Sequence, residues 1–313
     1  MAVVLFHFIY HYNSFQGHSF DVPEIARVGR LGVQLFFIIS GFVIFWSISR
    51  SKKPIDFVWS RFCRLYPVFW VALIITFTVV SIFSLPGREV RFEVFVANFL
   101  MFHEYLGYRH VDGVYWTLTI ELAFYFWMLV IFATGQMKHI EKILIVWVLV
   151  ATIVTLDSLN IDLGYKLPRL LLLDYIELFA AGICFFRYKD KTHTLWTHLL
   201  IVLCVLALAA SYHAAQAIVI ASFFAIFLLI INNKLRILRN SIFVYFGSIS
   251  YTLYLIHQNI GYIIINKTYE NNIHPFVGIA AAITVAIILA HILMVYVERP
   301  SLKHLKHRFK SSP

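Results

Sequence analysis

The 313-residue chain has the composition of a protein embedded in lipid rather than dissolved in water. Hydrophobic residues make up 61% of it and charged residues 13%, whereas soluble proteins average about 45–50% and about 25%. This composition excludes a water-soluble enzyme. The net charge of +10 lies in short loops between apolar runs, which argues against a nucleic-acid partner, and three cysteines in or beside those runs imply no disulfide framework.

Apolar runs long enough to cross a bilayer recur along the whole chain. A transmembrane helix needs about 20 predominantly apolar residues. The first predicted segment is too short for a complete span, the fifth is also short, and a further run, 92–102, is predicted to be an interfacial helix. The sequence therefore predicts an all-α integral membrane protein, a bundle of about ten transmembrane helices in one domain over residues 1–313. The ten segments are 1–12, 31–49, 65–85, 114–134, 143–157, 168–186, 195–211, 213–231, 242–265 and 274–298.

The basic residues are divided unequally between the two alternating sets of loops. One set carries 18 of the 26 Lys and Arg residues and the other carries 8. Because positively charged loops stay in the cytoplasm, we predict that both termini are cytoplasmic. The basic tail, 299–313, is then explained by attraction to anionic membrane lipid.

Polar and ionisable side chains interrupt several spans at a similar depth. Such groups are costly in the membrane and are functional candidates by default. With a rise of about 1.5 Å per residue, His7 lies roughly 9 Å below the outer surface. We predict that these residues share one polar cavity, the alternative being hydrogen bonds between packed helices. The others at comparable depth are Ser40, Gly41, Glu121, Asp174, Glu177 and His257.

Helical spacing places several of these residues on shared faces. His7 and His11 are four residues apart, so they lie on one side of a helix. Two longer stripes have similar helical spacing. Separately, no histidine in the outer loops has metal-ligand spacing, so we predict no metal site. The stripes are Thr117, Glu121 and Tyr125 in one helix, and Ser250, Tyr254, His257 and Gly261 in another.

Five segments in chain order resemble the motifs of one known family. Together they make the chain similar, over essentially its whole length, to the membrane-bound acyltransferase 3 family. The segments are Val3–His7 with the first-span histidine, Gly32–Ile44 in the second span, Arg61–Pro67 with an RxxR pattern, Tyr115–Tyr125 with Trp116 and Glu121, and Phe246–His257 ending in a histidine.

This resemblance implies an activity and a location. The family moves acyl groups, usually acetyl, from a cytoplasmic coenzyme A thioester to a hydroxyl of an extracytoplasmic polysaccharide, glycolipid or related acceptor. It implies a multi-pass protein of the bacterial inner membrane. It also implies a basic residue eleven positions before His7, which would precede Met1, so we expect the first helix to be truncated.

The predicted chemistry assigns catalytic roles to two residues. Transfer to a hydroxyl needs a base, and neutral imidazole suits this near pH 7. His7 is the predicted base, in agreement with the resemblance. Glu121 is predicted to orient the imidazole and stabilise its protonated form, as a carboxylate does in nucleophilic triads, with substrate binding as the alternative.

Other residues are predicted to bind the two substrates. Arg61 and Arg64 lie three apart on one helical side, and guanidinium groups bind phosphate bidentately. They are predicted to hold acyl-CoA, the alternative being a positive-inside anchor. The pair Ser40 and Gly41 is predicted to leave room for the acyl arm, or to serve tight helix packing. The predicted acceptor-binding residues are Trp116, Tyr125, Tyr254 and His257.

A transporter or flippase for a glycan or lipid is the competing interpretation of the same polar cavity. Such proteins often contain internal repeats with broken helices at matching positions. The sequence contains no such repeat. The acyltransferase is therefore the favoured prediction.

Overall fold

A computed structural model describes residues 1–156 and 163–303 of the chain. Every regular element within these two ranges is helical, which confirms the predicted all-α class. Part of the predicted basic tail, residues 304–313, lies outside them. The α-helices are α1 (Ala2–Leu5), α2 (Tyr12–Phe15), α3 (Gly32–Ile48), α4 (Pro54–Phe83), α5 (Phe92–Asn98), α6 (Trp116–Ala133), α7 (Ile140–Thr155), α8 (Lys166–Leu170), α9 (Ile176–Lys189), α10 (Leu195–Ser211), α11 (Ala214–Ile231), α12 (Ser241–Glu270) and α13 (Pro275–Leu293).

Five helical stretches in the described ranges are long and apolar enough to cross a membrane. Helix α10 is apolar but shorter. Helix α12 is 30 residues long and carries polar side chains along its length. An integral membrane protein therefore follows from the helices, whereas the count of ten spans stays a prediction. The five stretches are Glu24–Ser49, Pro54–Phe83, Gly113–Ala133, Ala214–Ile231 and Pro275–Lys303.

Two predicted spans differ from the helices observed. The segment 168–186 is not continuous, because α8 ends at Leu170 and α9 begins at Ile176, with Leu172 at a φ of 57° between them. Leu172 and Leu173 of this turn are buried and apolar, and hydrophobicity reports burial rather than backbone conformation. Helix α4 begins at Pro54 instead of 65, because charged residues interrupt the apolar pattern without interrupting the helix.

The helices group into two compact units. The first comprises residues 1–30, 58–119 and 239–313, of which 239–303 are described. In this unit α12 packs along α13, and the N-terminal helical segment packs against α12. That segment is π-helical over Phe6–His11, between α1 and α2. Buried Phe8, Tyr12 and Tyr262 belong to its apolar core.

The second unit comprises residues 31–57 and 120–238, and its centre is the packing of α3 on α9. Gly41 makes this approach possible, because a Cβ on it would overlap the carbonyl oxygen of Phe179. A Cβ on Gly182 of α9 would overlap the carbonyl oxygen of Ile38 in the same way. Small residues that let two backbones approach are a common device of membrane helices. The backbone of α9 therefore occupies the space beside Gly41.

Substituting Gly41 with alanine is expected to destabilise the second unit. The added methyl group meets backbone atoms, which cannot move aside, so the cost is at least the ~1–3 kcal/mol typical of overpacking. Gly247→Ala is the matched control, because that exposed glycine of α12 has open space around it. Alanine in a helix is otherwise favoured by about 1 kcal/mol. Melting in detergent should lower Tm for Gly41→Ala alone, and equal Tm values would contradict the packing role.

Candidate active site

Two histidines far apart in the sequence are hydrogen-bonded to each other in the first unit. His7 Nδ1 lies 2.8 Å from His257 Nε2, and the two ring centroids are 4.9 Å apart. His257 is fully buried in α12. The sequence predicted that both residues are functional and at one depth, and the structure brings them together.

Close packing beside the pair explains why the rings can meet. Gly261 lies one turn after His257 on the same face of α12, and the ring of Phe8 rests against it where a Cβ would stand. Phe8 follows His7 directly in the π-helical stretch. Because Phe8 can approach the backbone of α12 so closely, its neighbour His7 reaches the imidazole of His257. Gly261 belongs to the stripe predicted from helical spacing.

The surrounding hydrogen bonds determine where the protons lie on a neutral pair. His257 Nδ1 lies 3.0 Å from the Leu253 oxygen and 2.9 Å from the Tyr254 oxygen. Carbonyl oxygens only accept, so Nδ1 of His257 carries hydrogen and its Nε2 is an acceptor. His7 must then donate from Nδ1. The lone pair of His7 therefore lies on Nε2, the nitrogen that faces away from His257.

His11 lies on the same face as His7 but has a different hydrogen-bond environment. The two ring centroids are 5.6 Å apart, as the spacing predicted. His11 Nδ1 lies 2.7 Å from the Tyr262 hydroxyl, which in turn accepts from Gln258 Nε2 at 3.3 Å. Gln258 Nε2 can only donate, so of these two contacts only His11 Nδ1 can accept the hydrogen of the Tyr262 hydroxyl. The lone pair of His11 is thus occupied, and its Nε2 carries hydrogen.

Glu121 lies in the second unit with two hydroxyl donors. Ser40 donates to its Oε1 at 2.8 Å and Tyr125 donates to the same oxygen at 2.7 Å. The carboxylate is buried, as is Ser40. The predicted stripe of Glu121 and Tyr125 is thus confirmed as a contact. The orienting role predicted for Glu121 toward His7 stays a prediction, as does passage of the acyl arm beside Ser40 and Gly41.

Tyr254 and Trp116 lie in the first unit, near the start of α6. The Tyr254 hydroxyl donates to the Val114 carbonyl at 2.9 Å and accepts from Thr117 at 2.8 Å. Its hydroxyl therefore joins α12 to the start of α6. Trp116 is the first residue of α6 and is half-buried. Contact of Trp116 and Tyr254 with the acceptor stays a prediction. For Tyr254 that contact would be made by the aromatic ring, because its hydroxyl bonds to α6 and the turn before it.

The two predicted phosphate-binding arginines lie on α4 in different surroundings. Arg61 donates to Ser60 at 3.0 Å. Arg64 forms an ion pair with Glu298, a residue that sequence reasoning missed. The Glu298 side chain is 4% exposed and that of Arg64 is 38% exposed, so the carboxylate depends on its cation whereas the guanidinium keeps an accessible edge. A carboxylate inside the last apolar segment was the available signal.

Asp112 is a second residue missed by the sequence reasoning. Its carboxylate caps the start of the helical turn before α6 through the Val114 N–H at 3.2 Å, and accepts from the Asn259 N–H at 3.1 Å. Asn259 also donates to the Val111 carbonyl at 2.9 Å. These bonds fix the loop before α6 to α12, two residues after His257. Burial raises the pKa of Asp112 to about 6.

The raised pKa of Asp112 predicts a pH-dependent stability. Between pH 3.8, its ordinary value, and about 6, the folded protein holds a proton on Asp112 that the unfolded chain releases. Stability from this group therefore falls as pH rises through that window. Melting in detergent should show a wild-type Tm that falls from pH 4 to 6 relative to Asp112→Asn. Asp190→Asn, an exposed control, should leave the slope unchanged, and an identical slope in Asp112→Asn would contradict the assignment.

The helices and this site define a polytopic membrane protein with a hydrogen-bonded histidine pair. The described residues contain no group of three or more His, Cys, Asp or Glu side chains placed to hold a metal ion. No solved structure matches the chain. A family model described as an acyltransferase domain matches residues 1–295. The chain therefore belongs to the acyltransferase 3 family, which confirms the resemblance seen in the motifs and places it in a class of enzymes.

Several curated proteins are similar to parts or most of the chain. Acyltransferase MdmB of Streptomyces mycarofaciens is 30% identical over 110 residues, which are 33% of this chain and 28% of that protein. Putative acetyltransferase ORF330 of Acidianus two-tailed virus is 25% identical over 251 residues, 75% of this chain and 74% of that protein. Exopolysaccharide production protein ExoZ of Rhizobium meliloti (strain 1021) is 39% identical over 66 residues, 20% of this chain and 19% of that protein.

Proposed function

We propose that this protein is an integral-membrane O-acyltransferase that moves an acyl group, in the simplest case acetyl, from acyl-CoA to a hydroxyl of an extracytoplasmic glycan or lipid-linked glycan. The observation that carries this proposal is the His7–His257 hydrogen bond at 2.8 Å. It leaves a lone pair on Nε2 of His7, where an acceptor hydroxyl can approach. The names of the relatives, two of them acyl or acetyl transferases and one a polysaccharide production protein, support the same reaction.

In the proposed acyl transfer, His7 alone carries the proton from the acceptor hydroxyl to the leaving thiolate. Nε2 of His7 takes the proton of the acceptor hydroxyl while its oxygen forms a bond to the thioester carbonyl carbon. The carbon–sulfur bond then breaks, and the coenzyme A thiolate receives the proton from the imidazolium of His7. An acyl ester and free coenzyme A result. A positioned base of this kind contributes about 10²–10⁴-fold to a rate.

His257 is proposed to be a positioning residue for this base. It accepts the Nδ1 hydrogen of His7 and is itself held by two carbonyl oxygens of α12. It thereby does for His7 what the carboxylate of a nucleophilic triad does for its histidine, fixing tautomer and orientation.

Glu121 keeps its proposed part in catalysis, acting on the imidazolium or on the substrate, and Tyr125 beside it is proposed to contact the acceptor.

The donor is proposed to bind at the end of α4 that carries Arg61 and Arg64. The diphosphate bridge and the ribose phosphate of coenzyme A are anionic, and guanidinium donors match phosphate oxygens geometrically. Glu298 would hold Arg64 in place while its exposed edge meets the phosphate. In the orientation predicted from loop charge, this end of α4 faces the cytoplasm, both termini are cytoplasmic, and the protein lies in the bacterial inner membrane. Donor and acceptor then approach from opposite sides.

Replacing single histidines tests the assignment of the base. His7→Ala should lower acetyl transfer from acetyl-CoA to membrane glycan by about 10²–10⁴-fold. His11→Ala should cost much less, because its lone pair is already engaged by Tyr262. Both changes remove an imidazole from one helix face, so general loss of packing would affect both alike. Radiolabel in the glycan fraction measures transfer, and near-normal transfer by a well-folded His7→Ala protein would remove His7 as the base.

Replacing His257 tests the positioning role separately. His257→Gln keeps an oxygen that can accept from His7, so it should retain more transfer than His257→Ala. Loss should appear in kcat and in the pH profile of transfer rather than in acetyl-CoA affinity. Equal losses in both variants, with unchanged pH profiles, would reduce His257 to a packing residue.

Replacing the two arginines tests the donor site. Arg61→Ala with Arg64→Ala should raise the KM for acetyl-CoA more than it lowers kcat, because the phosphate contacts lie far from the reacting atoms. Arg50→Ala is the control, since Arg50 lies in the same predicted basic loop region and its guanidinium is 4.5 Å from the ring of Trp46. An unchanged KM in the double variant would leave the arginines as positive-inside anchors.

A further inference from the structure

A cavity in the second unit is not used by the proposed chemistry. It lies where the first turn of α3, the last turn of α7, the start of α9 and the end of α10 converge. Its volume is about 240 Å³, far above the ~10–15 Å³ that a single water needs. It therefore has room for a small polar molecule.

The lining of this cavity is polar and carries two carboxylates. Asp174 and Thr155 form an exposed rim, whereas Glu177 forms a floor that is 5% exposed. Gln34 and Tyr212 complete the polar wall, with the Tyr212 hydroxyl close to both Glu177 and Gln34. The cavity thus opens from an exposed acidic rim to a buried acidic floor.

The floor carries acceptor atoms that the protein itself does not use. Oε1 of Glu177 is buried and has no hydrogen-bond partner among the residues that the structure describes, and the same holds for Oε1 of Gln34. A buried carboxylate oxygen without a partner is costly, by at least the penalty of an unmade hydrogen bond. Glu177 lies in the first turn of α9, where the helix dipole favours an acid. That location explains why an acid is tolerated there but not why one of its oxygens faces a cavity without a partner.

The chemistry of the lining selects among ligand classes. The exposed carboxylate of Asp174 repels phosphates, uronates and other anions. A divalent metal would need further oxygen ligands. Carboxylate and amide oxygens that still have room to accept match a neutral molecule whose several hydroxyl groups can donate. Charge-assisted hydrogen bonds from hydroxyls to carboxylates are the strong ones of their kind.

We propose that this cavity binds one neutral sugar unit of the acceptor, with Glu177 and Asp174 accepting hydrogen bonds from its hydroxyl groups. This inference rests on the proposed function, in which the acceptor is a glycan. In the orientation predicted from loop charge, all four converging helix ends face the outside, the side from which the acceptor comes. The carboxylates would then make neutral glycans better acceptors than acidic ones.

Direct binding of monosaccharide probes tests this proposal. The probes are methyl glycosides of glucose, galactose, mannose and N-acetylglucosamine, with methyl glucuronide as the acidic counterpart of methyl glucoside. Saturation-transfer NMR or calorimetry on the purified full chain should detect binding of at least one neutral glycoside. The protein should bind methyl glucuronide at least tenfold more weakly. Glu177→Gln and, at the exposed rim, Asp174→Asn should each weaken the neutral probe about tenfold. Asp190→Asn, an exposed acid at the other end of α9, should change nothing.

The outcomes separate this inference from the proposed function. Binding by none of the neutral probes, equal binding of glucuronide, or binding unaffected by both cavity variants would overturn the sugar site. Stabilisation by sodium or potassium ions alone, dependent on Glu177, would overturn it in favour of a cation site. Acetyl transfer by the wild-type protein is measured in parallel. Transfer without cavity-dependent sugar binding removes this inference alone, whereas sugar binding without any coenzyme A release removes the acyltransferase.

Discussion

The hydrogen bond between His7 and His257 is the interaction on which the account of this protein depends. An imidazole in an apolar helical bundle loses its hydrogen bonds to water, and only protein partners can replace them. Here two carbonyl oxygens of α12 hold His257, and His257 holds His7. The direction of donation along this chain is set at its buried end. This direction leaves the lone pair of His7 on Nε2, the last nitrogen in the series of hydrogen bonds.

Backbone packing is what allows that chain of hydrogen bonds to form. Gly261 admits the ring of Phe8 against α12, and the π-helical stretch carries His7 and His11 on one face. π-Helical segments often coincide with functional sites. The same logic operates in the second unit, where Gly41 admits the backbone of α9. In each unit a glycine sets how closely one helical segment can approach another.

Much of the fold and part of the site could be predicted from the sequence. Apolar length predicted helices, and residues four apart, such as Glu121 and Tyr125, do share a face and touch. The break between α8 and α9 was not predicted, because the buried leucines Leu172 and Leu173 of the turn continue the apolar pattern of a helix. The pairing of His7 with His257 also could not be predicted, since residues separated by 250 positions carry no pattern that shows which helices are neighbours. Glu298 and Asp112 were missed because their importance lies in their partners, Arg64 and the Asn259 amide.

The most direct test of the central claim is to observe the protons on His7. Nitrogen-15 NMR of histidine-labelled protein in bilayers distinguishes ring nitrogens that carry hydrogen from those that do not, and the His7 signals are assigned by their loss in His7→Gln. At a pH where the pair is neutral, the account predicts hydrogen on Nδ1 of His7 and a lone pair on Nε2, with a coupling from Nδ1 to Nε2 of His257. Hydrogen on Nε2 of His7 would contradict it, because the nitrogen that we propose as the base could then not take the proton of an acceptor hydroxyl.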